Sequence, residues 1–72
     1  MAKELHEGDQ VSWKWGESRA HGKVQSVFDH KVTRTIKGNE VVRHGSQDNP
    51  AVYIVQDDGG RVLKLANEVD RE

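Results

Sequence analysis

Cysteine is absent from this chain of 72 residues. A disulfide framework and a thiolate zinc site are therefore excluded, and the small size is compensated by neither staple. Proline occurs once, as Pro50, and there are no repeats, linkers or low-complexity tracts. Aromatics are scarce: two Trp, one Tyr and one Phe. No apolar run reaches the length of a membrane span or a signal-peptide core, and the opening Met-Ala-Lys-Glu-Leu-His-Glu is too charged to be one, so the expected setting is the cytoplasm. A dominant charge is missing as well. The formal net charge is −1, which selects no partner by bulk attraction.

What remains is a polar composition, 33% hydrophobic and 32% charged, in a chain long enough for one domain. A domain of this size buries roughly 60% of its unfolded surface, so its stability should be modest. The apolar residues are Val, Ile, Leu and aromatics gathered in short clusters, which argues for a folded core and against disorder. Charge is distributed unevenly. Residues 31–44 hold Lys31, Arg34, Lys37 and Arg43 against Glu40. Residues 45–72 hold Asp48, Asp57, Asp58, Glu68, Asp70 and Glu72 against Arg61, Lys64 and Arg71.

Period-two alternation dominates the pattern. Gln10 to Trp15 reads as a first strand with Val11, Trp13 and Trp15 on one face and Ser12 and Lys14 on the other. Trp13 is expected in the core beside Val11, Val24, Val32, Ile54 and Val62, and Trp15 at a more exposed mouth. Residues 16–20 read as a loop, and residues 22–29 as a strand whose broken alternation between Val24 and Val27 signals a bulge. Residues 30–36 set Val32, Arg34 and Ile36 against Lys31, Thr33 and Thr35, and Gly38-Asn39 is the expected hairpin centre before Val41-Val42-Arg43. A polar loop runs over 45–50. The apolar run from Ala51 to Val55 suits a strand buried on both faces, Asp58-Gly59 marks a second tight turn, and Val62-Leu63 a last short strand. Leu65 to Val69 forms either a helical turn or a closing strand. The sum is an all-β domain of about five antiparallel strands closed into a small barrel.

The segments GDQVSWKWG, HGKVQSV, KGNEVVRHGSQDNPAVYIVQDDGGRVLK and LANEV together resemble the small Tudor-like domain of the hypervirulence-associated protein family, found in fungi and as short bacterial proteins. The resemblance covers residues 8–69, leaving 1–7 as a flexible lead-in and 70–72 as a tail. It implies an SH3-like or Tudor-like barrel and carries over no catalytic residue.

The residues themselves point away from catalysis. Asp57-Asp58-Gly59-Gly60 is the chemistry of a turn, in which Asp bonds its own backbone. The serines lack a nucleophile elbow, and no glycine-rich phosphate loop is followed by the lysine it needs. His6, His21, His30 and His44 fall at no ligand spacing, so neither a metal nor a cofactor is expected. Two binding surfaces are candidates. Trp15 and Tyr53, with the loops at 16–20 and 45–50, could receive a protein or peptide, or in the extreme a methylated ammonium by cation–π attraction. Lys31, Arg34, Lys37 and Arg43 could track a phosphate backbone weakly and without sequence preference. A third reading is a homo-oligomer formed by edge pairing. The leading expectation is a non-enzymatic module for a protein or peptide partner.

Overall fold

Alternating side chains and tight turns generate seven strands in the computed structural model, which describes residues 4–72. In chain order they are β1 (Gln10–Trp15), β2 (Ser18–Phe28), β3 (Lys31–Ile36), β4 (Asn39–His44), β5 (Ala51–Gln56), β6 (Arg61–Leu65) and β7 (Asp70–Arg71). A 3₁₀ turn, Ala66–Glu68, joins the last two. Five strands form one sheet in the order β6-β5-β2-β1-β7, and β3 and β4 form a separate hairpin; every pairing is antiparallel.

The all-β class expected from the sequence holds, but the barrel does not close. Among the described residues no ladder links the hairpin to the sheet. The chain bends at Asp29-His30, so β3 leaves the end of β2 and finds its ladder in β4 alone. The hairpin is attached instead by side chains: Val32, Ile36 and Val41 pack with Phe28, Ala51, Tyr53, Leu63 and Leu65.

β5 is the strand buried on both sides. Val52 and Ile54 join Leu5, Val11, Trp13, Val24, Ala66 and Val69 in the larger cluster, with Val62 against it, while Ala51 and Tyr53 serve the smaller one under the hairpin. Val32, expected beside Trp13, belongs to that second cluster because β3 lies on the other side of the sheet. The bulge expected in β2 is present. Val24 pairs with Ile54 and Ser26 with Tyr53, leaving Gln25 as the extra residue and returning Val27 to the core face. At Gly22 the backbones come close enough that a Cβ would lie 2.6 Å from the Ile54 side chain and 2.7 Å from the Val55 carbonyl oxygen, so only hydrogen fits.

Three boundaries depart from the sequence reading. Residues 16–20 are not a loop: β2 begins at Ser18, and Trp15 pairs with Ser18 across the two-residue turn Gly16-Glu17. The β3–β4 turn is centred one residue earlier than expected, on Lys37-Gly38, with Ile36 opposite Asn39. A turn at Gly38-Asn39 would have placed Arg34 opposite Arg43; the observed register pairs Arg34 with Val41 and Arg43 with Val32, avoiding like charges face to face. Residues 70–72, expected as a tail, supply β7, which pairs with Val11 and Ser12 of β1. Of the 1–7 lead-in, residues 1–3 lie outside the described residues, while Leu5 is only 5% exposed in the core.

Candidate functional site

The β1–β2 hairpin outruns β5, the next strand of the same sheet. Gln56, the last residue of β5, sits opposite Gly22 of β2, whereas Trp15 pairs with Ser18, four positions earlier in β2 and beyond the end of β5. Trp13 therefore lies over the core at 3% exposure, and Trp15, on the same face two residues later, is 70% exposed. Both rings line a cleft of about 470 Å³, enclosed on its other sides by β6 and by the turn end of the β3–β4 hairpin. Ile36, Val41 and Val62 supply its aliphatic wall.

The polar rim is mainly cationic. Lys37 comes from the hairpin turn, Arg61 and Lys64 from β6, and Asp58 from the β5–β6 turn is the carboxylate among them. Asp58 already accepts a hydrogen bond from the Gly60 amide at 2.9 Å. Arg61 donates from Nη1 to the Gly59 carbonyl at 2.8 Å, which holds its guanidinium at the rim. Among the described residues none of these three cations forms an ion pair. Lys37 also stands at φ 50, the left-handed region that costs an L-residue roughly 1–2 kcal/mol and that Gly or Asn enters more easily. Such a conformation is what the first centre of a primed hairpin turn requires.

The family model for the TUDOR domain of hypervirulence associated proteins matches residues 8–69. The chain belongs to that family. No curated protein and no solved structure matches it. The family makes this a small Tudor-like domain of the interaction-module kind.

In this Tudor-like domain only Trp15 and Lys37, of the six residues singled out in the sequence, reach the cleft. Tyr53 packs under the hairpin on the opposite face of β5 from Val52 and Ile54, so it does not meet Trp15. Its ring, like that of Phe28, is occupied by Arg34, whose guanidinium carbon lies 5.8 Å from the Tyr53 centroid and 5.0 Å from that of Phe28. Arg34 shares a face of β3 with Val32 and Ile36 but remains exposed, and its guanidinium rests over the two rings by cation–π attraction. Arg43 lies 3.6 Å from Glu68. Lys31 is exposed opposite His44, at the far end of the hairpin from Lys37. The basic middle of the chain is thus dispersed over two faces and both ends of one hairpin.

The 45–50 loop is not at the cleft either. It lies at the Ala51–Leu65 end of β5 and β6, where the Asn49 side-chain oxygen accepts from the Asn67 amide at 2.9 Å and the Pro50 carbonyl accepts from Ala66 at 2.8 Å. The residues that sequence reasoning missed are Arg61 and Lys64, which lie in an acidic final third; Val62, expected as a core neighbour of Trp13, also lines the cleft. Their signal was local: Val62 and Lys64 share a face of β6, and Ile54, opposite Val62, is a core residue. All four histidines are exposed, and among the described residues no group of three or more His, Asp or Glu converges on a metal position. No helix is long and apolar enough to cross a membrane.

Proposed function

We propose that this chain is a non-catalytic binding module that receives a segment of a protein or peptide in the cleft at Trp15. The observation that carries the reading is the contrast within β1. Trp13 is spent on the core, while Trp15 presents a large ring to solvent beside Ile36, Val41 and Val62. An exposed aromatic against an aliphatic wall is the composition of a binding hot spot, because it offers apolar area that a partner side chain can cover. Family membership supports an interaction role, and the cleft is where the apolar surface for one is available.

Nucleic-acid binding through residues 31–43 receives less support. Arg34 is stacked on two rings and Arg43 is paired with Glu68, which leaves Lys31 and Lys37 at opposite ends of the hairpin. Two separated cations give a shallow salt slope and weak binding. We place the module in the cytoplasm, a reducing setting that suits a cysteine-free chain. The test is selection from a displayed random-peptide library on the wild-type chain, with counter-selection on Trp15→Ala. Recovery of peptides that need Trp15 is expected. Recovery only of peptides indifferent to Trp15 would move the site elsewhere.

A further inference from the structure

We infer that the cleft selects an acidic peptide: an apolar side chain seated against Trp15, Val41 and Val62, flanked by carboxylates that meet Lys37, Arg61 and Lys64. The inference rests on the reading of the cleft as a peptide site and adds the chemistry of the ligand. Three observations carry it.

The first is the charge balance. Three cations face one carboxylate, and that carboxylate is already accepting a backbone hydrogen bond. A ligand cation would meet net repulsion here, and a ligand anion attraction that grows as the cleft is desolvated. The second is that these three cations converge on one cleft with no ion-pair partner among the described residues, whereas Arg19 is paired with Asp70, Arg43 with Glu68, and Arg34 is stacked on Phe28 and Tyr53. The third is the backbone of Lys37. A flexible lysine occupies a left-handed turn position that glycine or asparagine would fill at lower cost. Strain of this kind persists where a side chain is needed for something other than stability.

A peptide fits better than a nucleic acid. Single strands are held by successive bases stacked on several aromatic faces. Here one ring is free, Phe28 and Tyr53 pack in the smaller cluster with Arg34 over them, and the remaining wall is aliphatic. That wall suits a leucine or valine side chain.

The experiment is an amide-shift NMR titration of the full chain with four probes: a short blocked peptide with a central leucine flanked by glutamates, its glutamine counterpart, its lysine counterpart, and a short oligothymidylate. The expected result is that the glutamate peptide shifts Trp15, Lys37, Val41, Val62 and Lys64, more weakly at high salt, and the glutamine and lysine peptides bind several-fold less. Exposed ion pairs are individually small, so each of Lys37→Gln, Arg61→Gln and Lys64→Gln should lower affinity for the glutamate peptide about two- to fivefold and leave the glutamine peptide unchanged. Thermal melts of the three variants confirm that the fold is intact. Equal binding of the glutamine or lysine peptide at these residues would overturn the acidic preference and leave the peptide site standing. Tighter binding of the oligonucleotide at the cleft would overturn it in favour of nucleic acid. Silence of the cleft toward all four probes would remove both the preference and the site.

Discussion

Along the β1–β2–β7 side of the sheet, Arg19 and His21 find carboxylate partners within the molecule. Arg19 Nη2 lies 2.7 Å from Asp70 and 2.9 Å from the buried Ser12 hydroxyl, and His21 Nδ1 shares a 2.9 Å hydrogen bond with Glu72. At the cleft, Lys37, Arg61 and Lys64 have no such carboxylate partners among the described residues, and Trp15 has no covering side chain to match Trp13. The same strand, β1, runs from one regime to the other. The difference separates what the fold consumes from what it leaves available. Groups satisfied internally contribute to stability and offer a partner little, whereas unspent charge and uncovered apolar area can contribute only when something else arrives.

The largest test of this division is the pair of tryptophans. Trp13→Ala removes a buried ring from the larger cluster and should cost about 3–5 kcal/mol, enough to unfold a domain whose whole stability is of that order. Trp15→Ala removes a ring that is 70% exposed and should cost less than about 1 kcal/mol. Urea denaturation of both variants decides the matter. Equal losses would mean that Trp15 belongs to the core and that the cleft is a packing defect.

Gly22→Ala comes next in size. The added methyl would press on the Ile54 side chain and on the Val55 carbonyl of β5, a contact with backbone that only backbone movement relieves. Overpacking of this kind costs about 1–3 kcal/mol. The loss should appear as a lower denaturation midpoint with little change in binding at the cleft. A neutral result would show that the two strands can separate without penalty.

Much of this arrangement is legible in the sequence, and the portion that is not has a common cause. Period-two alternation identifies the strands, the break between Val24 and Val27 marks the bulge, and the apolar run of β5 announces burial on both faces, because each is written in neighbouring residues. Closure of the barrel depends on where β3 is sent after Asp29-His30, a matter of contacts between distant segments, and the sequence expectation fails there. The site divides in the same way. Trp15 was recognisable from its place at a strand end. Tyr53 was not separable from it, since only the pairing of β5 with β2 and β6 reveals that Tyr53 faces the hairpin. Arg61 and Lys64 were hidden by being counted among the acidic residues around them in sequence, although Asp70 and Glu72 are drawn off to Arg19 and His21 in the fold.

Lys37→Asn sharpens the comparison by giving its two sides opposite signs. Asparagine enters the left-handed region more readily than lysine, so the variant should be more stable by about 0.5–1 kcal/mol, a part of the penalty the lysine now carries. The same change deletes a cleft cation and should weaken an acidic ligand. A thermal melt and a peptide titration on one sample suffice. A variant that gains stability and keeps full affinity would show that Lys37 is merely an unfavourable turn residue.

The smallest effect compares one cation from each region. Arg19→Gln removes one charge partner of Asp70 and one hydrogen bond to the Ser12 hydroxyl, so it should destabilise by up to about 1 kcal/mol, the upper end for a half-exposed pair. Lys64→Gln removes a cation with no ion-pair partner among the described residues and should fall within about ±0.5 kcal/mol of wild type. Salt separates the two further. At about 1 M the screening length shrinks to about 3 Å, which should erase much of the Arg19 loss and leave the Lys64 variant where it was. The part of the Arg19 loss that survives high salt measures the hydrogen bond to Ser12, since that contact does not depend on charge separation in the same way. If instead Lys64→Gln destabilises as much as Arg19→Gln and recovers with salt, Lys64 is engaged within the molecule, and the cleft loses one of the charges on which its preference for an acidic partner depends.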